Sequence, residues 1–376
     1  VHRALALSAF GWTDVKVIAA MSGGVDSSVV AARLVDAGHE VIGVHLALAK
    51  APSVSGRTRG CCTLDDARDA RRVADVLGIP FYVWDLSERF RDDVVADFVE
   101  EYRRGRTPNP CVRCNERIKF AAVLDRALAL DFDAVATGHY AQVISGTQGP
   151  ELHRGIDPDK DQSYVLGVLT RDQLERTVLP LGADRKEDIR READARGLLV
   201  ARKPDSHDIC FIPDGDTAAF VREHVGTAPG DIVDAETGEV LGTHEGAHAF
   251  TIGQRRGLGL TVPTPSGAPR YVVDVDINTS TVRVGRPELL DVDSIEGVHL
   301  TWTGEPLSQR PCALHVQVRA HSAPVVASAR VEADRLLVDL EQPIRGLAAG
   351  QTIVLYDGSR VVGSATVDSA RRMVPA

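Results

Sequence analysis

No stretch of the 376-residue sequence reaches about 18 consecutive apolar residues, so no membrane-spanning helix is expected. Residues 1–14 lack the basic start and long apolar core of a secretory signal and read as a tail ahead of the first strand. Cysteine is scarce. Cys61, Cys62, Cys111, Cys114, Cys210 and Cys312 are too few and too unevenly spaced for a disulfide framework in a chain of this length. That usage predicts a cytoplasmic protein in which some thiols are reactive or bind metal. A formal net charge of −10 argues against non-specific attachment to nucleic acid. Internal repeats and low-complexity tracts are absent. The length itself suggests two or three domains, each with its own core.

The first half alternates strand-like and helix-like runs. Strands are predicted at 15–20, 40–46, 81–85 and 134–137, and helices at 27–37, 65–77, 90–104 and 115–130. Gly38 and Gly78 stand just past two of these helices, where a left-handed cap is wanted. The order implies an α/β, Rossmann-like parallel sheet with ligands outside the carboxyl ends of its strands. Beyond Ile212 the runs shorten to strand length, at 271–274, 281–285, 313–319, 335–340 and 352–356, with turn residues between them. The expected division is therefore a catalytic domain over 15–212, a small β-rich middle domain over 213–290 and a C-terminal β-barrel over 291–376.

Within this frame the segment Met21-Ser22-Gly23-Gly24-Val25-Asp26-Ser27-Ser28 is the most informative. A strand, a Gly/Ser loop and a helix in succession turn backbone N–H groups toward an anion. Asp26 could hold a divalent cation such as Mg2+ or cap the helix. The loop lacks the lysine of the common phosphate-binding loop and looks like the pyrophosphate loop of enzymes that split ATP into AMP and pyrophosphate. A second cluster, Gly105-Arg106-Thr107-Pro108-Asn109-Pro110-Cys111-Val112-Arg113-Cys114-Asn115, reads as extended and exposed between helices. Cys114 is expected at a helix start with Arg113 and Arg117 beside it, which favours the thiolate. Between Arg103 and Lys119 six basic residues face one acidic residue, which suits either RNA phosphates or a solvated helix face. The third cluster, Asp205 to Ile212, contains Cys210 at the junction between the two textures.

These segments, with Ala136-Thr137-Gly138-His139-Tyr140, Lys160-Asp161-Gln162-Ser163-Tyr164, Thr251-Ile252-Gly253-Gln254-Arg255-Arg256-Gly257-Leu258-Gly259 and Ala349-Gly350-Gln351, closely resemble the bacterial tRNA-specific 2-thiouridylases in order and spacing. The resemblance runs from about Val15 to the C-terminus. It implies an adenine nucleotide alpha-hydrolase-like fold and ATP-dependent 2-thiolation of the wobble uridine of tRNA. ATP would be bound by Ala20, Met21, Ser22, Gly23, Gly24, Val25, Asp26, Ser27 and Gly138, with Leu46 near the adenine. Cys210 would carry a persulfide and Cys114 would assist its release, leaving a Cys114–Cys210 disulfide. Asn109, Pro110 and Cys111 would face the target base, and His139, Lys160, Asp161, Gln162, Arg319 and Gln351 would touch tRNA. A cysteine desulfurase or sulfur-relay protein is the implied sulfur donor.

The chain departs from the family pattern at two places. Cys111 stands where many relatives have Asp, and Ala320 where relatives often have an aromatic, so stacking on tRNA at 320 is lost. With Cys111, Cys114 and Cys210 as ligands, a 4Fe–4S cluster is an alternative route for delivering sulfide. Two further alternatives are a pyrophosphate-loop amidating ligase and an RNA-binding protein for which ATP is only a regulatory ligand.

Overall fold

The computed structural model describes residues 15–49, 64–204, 209–212, 214–260, 264 and 267–372. Cys61, Cys62, the tail 1–14 and residues 205–208 of the Cys210 cluster lie outside the described residues. Strands β1 (Lys16–Ala20), β2 (Glu40–Ala47), β3 (Phe81–Asp85) and β4 (Ala134–Ala136) are followed by a hairpin of β5 (Ala141–Gly146) and β6 (Gly149–Arg154), then by the short β7 (Thr177–Val178). A parallel sheet forms in the order β3-β2-β1-β4-β7. Val17, Ile18 and Ala19 of β1 are all fully buried, because helices cover both faces of the sheet. Burial of each larger side chain of this kind contributes about 1.5–3 kcal/mol.

Helix α1 (Val25–Asp36) follows β1 and packs Val25, Val29, Val30 and Leu34 into one of the two cores of this half. Helix α2 (Leu64–Leu77) precedes β3. The chain order reverses at β1, which lies between β2 and β4. Such a switch point opens a crevice at the carboxyl ends of the neighbouring strands, and the Met21–Ser28 loop leaves β1 there.

A smaller sheet pairs β8 (Gly230–Asp234), β9 (Val240–His244), β10 (Tyr271–Asp276) and β11 (Thr281–Gly285) in the order β10-β11-β8-β9. Six further strands, β12 (Asp291–Trp302), β13 (Cys312–Gln317), β14 (Val325–Glu332), β15 (Arg335–Arg345), β16 (Thr352–Asp357) and β17 (Arg360–Arg372), close into a barrel through pairing of β12 with β17. The α/β, middle β-rich and barrel architecture expected from the sequence is thus present. The β5–β6 hairpin attaches to the barrel, with His153 opposite Arg360.

Side chains complete that joint. Arg154 stacks over the Tyr356 ring at 3.6 Å, and its guanidinium reaches Asp161 at 2.9 Å and Gln317 at 2.8 Å. The Tyr164 hydroxyl donates to the carbonyl of Thr352 at 2.9 Å, and the Ser163 and Tyr356 hydroxyls lie 3.1 Å apart. A Cβ built on Gly253 would lie 3.8 Å from the Gly346 Cα, so the middle unit meets the barrel there. No helix among the described residues is long and apolar enough to cross a membrane.

Candidate active site

Where β1 ends, Gly23 has φ +79°, and a Cβ on it would fall 2.2 Å from the backbone oxygen of Asp66. Only glycine fits, and the loop is therefore pressed against the start of α2. Gly24 is the N-cap of α1, in extended conformation and without a side-chain cap. The amides of Val25, Asp26 and Ser27 then have no intrahelical acceptor, and the positive end of the helix dipole lies with them, an arrangement that can bind an anion. Ser27 ties the loop together, accepting from the Ser22 amide at 3.2 Å and donating to the Gly24 carbonyl at 3.2 Å. Gly138, just past β4, closes the other wall: a Cβ there would sit 3.0 Å from the Ser27 nitrogen. Leu46, at the end of β2, is buried in the adjoining apolar cluster.

Asp26 is not the helix cap. Both of its carboxylate oxygens accept from Lys186 Nζ, at 2.7 and 2.6 Å, and Oδ1 also accepts from the Tyr140 hydroxyl at 2.7 Å. Lys186 is 8% exposed, and its backbone amide donates to Asp157 at 2.9 Å. A second lysine acts on the same loop. Lys203 Nζ donates to the Gly23 carbonyl at 3.0 Å and pairs with Asp66 and Asp69, each at 2.7 Å. Burial works against the charge on Lys203, but its bonds to the two carboxylates outweigh that and its pKa is raised. In a trans peptide C=O and N–H point in opposite directions, so holding the Gly23 carbonyl aims the Gly24 amide away from Lys203. Sequence reasoning missed Lys186 and Lys203 and gave Tyr140 no role. The lysines join the loop across separations of 160 and 180 residues, which leave no local pattern.

The Gly105–Cys114 segment differs from its expectation. Its helix begins at Pro110, capped by the Asn109 side chain, which accepts from the amides of Cys111 at 3.1 Å and Val112 at 3.3 Å. The helix-start position expected for Cys114 therefore belongs to Cys111, which is exposed, while Cys114 lies one turn further on and is 7% exposed. Nor is the loop extended and free of the body: Pro108 and Pro110 are buried. The Thr107 amide donates to the Ala349 carbonyl at 2.8 Å, and Gln351 Nε2 donates to the Thr107 carbonyl at 2.6 Å. Cys114 shares an apolar cluster with Phe90, Val112 and Ile118, against which Cys210, Phe211 and Ala320 pack. Phe211 anchors the Cys210 segment, its ring lying 5.9 Å from Phe90, 5.3 Å from Phe98 and 5.4 Å from Phe220. Cys114 and Cys210 thus lie on one apolar cluster, and Cys111 is exposed. Among the described residues no three His, Cys, Asp or Glu side chains form a group able to hold a metal ion.

Several residues expected to touch tRNA are engaged within the protein. His139 is 8% exposed, and its Nδ1 lies 2.8 Å from the Thr137 hydroxyl. Burial, helped by the positive charge of Lys119, holds its imidazole well below the ordinary histidine pKa and keeps it neutral. Asp161 accepts from the amides of Gly155 and Ser163, both at 3.0 Å, besides pairing with Arg154. Gln162 exchanges two hydrogen bonds with the Tyr140 backbone, at 2.9 and 2.8 Å. Arg319 is exposed but donates to the Arg345 and Gly346 carbonyls. Lys160 is half-buried on the turn between Asp157 and Gln162. The basic run is also largely paired internally: Arg106 with Glu101, Arg113 with Glu116 and Arg117 with Asp97.

Comparison with known proteins accounts for the whole of this architecture. Residues 15–214 match the family model described as tRNA methyl transferase HUP domain, 218–286 the tRNA methyl transferase PRC-barrel domain, and 292–367 the aminomethyltransferase beta-barrel domain. The tRNA-specific 2-thiouridylase MnmA of Acidothermus cellulolyticus is 62% identical over 358 residues, covering 95% of this chain and 98% of that protein. Those of Mycobacteroides abscessus and Streptomyces coelicolor are 58% and 59% identical, covering 94% and 95% of this chain and 99% and 96% of their own lengths. With identity this high over nearly the full length of each relative, the chain belongs to the tRNA-specific 2-thiouridylase family.

Proposed function

We propose that this enzyme thiolates C2 of the wobble uridine of tRNA in an ATP-dependent, two-stage reaction. The observation that carries the reading is the pairing, in one fold, of an anion-binding loop at the sheet's switch point with two cysteines packed on one cluster. Uridine O2 is a poor leaving group and must first be activated. Attack of O2 on the α-phosphate of ATP forms an O–P bond and releases pyrophosphate. The residues fit the nucleotide: the loop from Ala20 to Ser27, pressed against Asp66 at Gly23 and against Gly138 at Ser27, would hold the phosphates, and the buried Leu46 would pack near the adenine. A magnesium ion that accompanies ATP would reach the Asp26 carboxylate by displacing the Lys186 ammonium from it.

The second stage moves sulfur. The terminal sulfur of a Cys210 persulfide attacks C2, and the C–O bond breaks with AMP as leaving group. The Cys114 thiolate then attacks the Cys210 sulfur. The S–S bond to the transferred sulfur breaks, leaving 2-thiouridine and a Cys114–Cys210 disulfide that must be reduced before the next cycle. Asn109, Pro110 and Cys111 would face the extruded base; of the three Cys111 is exposed, Asn109 half-buried and Pro110 buried. An anticodon loop is already single-stranded, so turning its base out costs little. The persulfide is supplied by a separate donor, a cysteine desulfurase or a relay protein.

The divisions 15–212, 213–290 and 291–376 are proposed as the catalytic, middle and barrel domains. Lys160 and Arg319 remain as proposed tRNA contacts, whereas Asp161, Gln162, His139 and Gln351 act on RNA through the backbone segments they hold. The test supplies ATP, magnesium, a persulfide donor and unmodified tRNA, and reads nucleosides by mass spectrometry. The expected product is 2-thiouridine, lost in Cys114→Ser and in Cys210→Ser. A methylated nucleoside, or thiolation that survives both substitutions, would overturn the reading.

A further inference from the structure

The sulfur stage ends with a disulfide that must be opened, and one of its sulfurs is hidden. Cys114 is 7% exposed, within the apolar cluster against which Cys210 packs. A soluble reductant therefore reaches the Cys114 sulfur poorly. Cys111 is exposed and stands one turn earlier on the same helix, which runs without a break over residues 110–129. Residues three apart on a helix share a face, with Cα atoms about 5 Å from each other. That spacing lies within the roughly 4.4–6.8 Å that a disulfide bridges.

We propose that Cys111 is the resolving thiol of the reaction, moving the disulfide from the buried Cys114–Cys210 pair to the exposed start of the helix. The proposal rests on the persulfide reading above. Once the thiolated base has left, the Cys111 thiolate attacks the Cys114 sulfur. A Cys111–Cys114 bond forms, the Cys114–Cys210 bond breaks, and Cys210 departs as a thiolate. The three sulfurs together gain and lose no electrons, so this exchange needs no outside reductant. Cys210 is then ready for the next persulfide sulfur. A dithiol reductant afterwards opens the Cys111–Cys114 bond, giving up two electrons and two protons and becoming a disulfide itself. Local structure supports the step. The Asn109 cap, the buried Pro110 and the bonds from Thr107 to Ala349 and Gln351 fix the backbone that carries Cys111. Phe211, seated among Phe90, Phe98 and Phe220, keeps the Cys210 segment on the cluster after its release. Attack within one helical turn is intramolecular and outruns a dilute external thiol.

The experiment takes the full chain, loaded with persulfide, through one turnover with ATP, magnesium and unmodified tRNA in the absence of reductant. Free thiols are then alkylated and the disulfides mapped by mass spectrometry. Cleavage after Arg113 separates Cys111 from Cys114, so a bond between them is read as two linked peptides. The wild type should yield mainly the Cys111–Cys114 link, with Cys210 alkylated. A Cys114–Cys210 link alone would overturn the proposal. Cys111→Ala should instead retain the Cys114–Cys210 link. With a monothiol reductant, its later turnovers should lag its own first by about tenfold more than in the wild type, and excess small dithiol should remove the lag. Later turnovers that keep pace with the first in Cys111→Ala would also overturn the proposal. Wild-type protein that makes 2-thiouridine without forming any disulfide would contradict the persulfide reading itself, and the proposal with it.

Discussion

The loop at residues 20–28 and the segment at 105–114 both present polar backbone at a helix start, yet they are built differently. The first is held from behind: Lys203 grips the Gly23 carbonyl and Ser27 cross-links the turn. The first-turn amides of α1 are thereby left for a ligand. The second is stitched forward onto the barrel through Thr107, Ala349 and Gln351, and its Asn109 cap uses the helix-start amides internally. One of its thiols is exposed and the other buried. Thus the loop assigned to activation leaves its helix-start amides without a side-chain cap, while the thiol assigned to sulfur release is sheltered in apolar packing.

The contrast can be broken most sharply at Gly23. Gly23→Ala places a methyl group against the Asp66 backbone in a left-handed conformation. We expect pyrophosphate release to fall by about a hundredfold through misplacement of the loop, with the melting temperature lowered as well. Next in size is the joint. Arg154→Met leaves Asp161 and Gln317 without their guanidinium and removes the stack on Tyr356. Urea unfolding should show a loss of about 2 kcal/mol, and tRNA-dependent activity should fall while ATP binding is retained.

A smaller, pH-dependent effect is expected at His139. Its folded pKa lies below the ordinary value of 6.5, so between the two values the unfolded chain binds the extra proton. The stability contributed by neutral His139 is present above pH 6.5 and is lost as pH falls from there toward the folded pKa. Denaturant midpoints measured across pH should decline on the acid side in the wild type and lack that component in His139→Gln. The smallest effect is expected at Gln351. Gln351→Leu removes one hydrogen bond to Thr107, worth about 1 kcal/mol in unfolding, and loosens the 105–114 segment without touching the nucleotide loop.

Legibility in the sequence follows the same contrast. The β1–loop–α1 unit is contiguous, and its glycines and serines advertise their use, so residues 20–28 were readable as an anion site. The parallel sheet was readable too, because β1 to β4 carry short apolar runs between helical periodicities. The start of the helix at Pro110 was not, since two prolines read as extended chain while the Asn109 cap and proline at N1 in fact begin a helix. Asp161, Gln162 and Gln351 were read as facing RNA because polar residues in turns look available. Asp161 pairs with Arg154 and Gln162 with the Tyr140 backbone inside the first domain, while Gln351 reaches Thr107 only where the barrel packs on the 105–114 segment. Lys186 was invisible for the same reason: nothing within its own helix distinguishes it from a solvated surface lysine.

The most direct test of a reaction split between an open activation loop and a sheltered thiol pair uses Cys210→Ser with ATP, magnesium and unmodified tRNA. Released pyrophosphate and the nucleosides are measured together in a single turnover. The account predicts that pyrophosphate is still released in a tRNA-dependent burst and that adenylated uridine accumulates with no 2-thiouridine formed. Loss of pyrophosphate release together with thiolation in Cys210→Ser, in a protein that still binds ATP and tRNA, would contradict it.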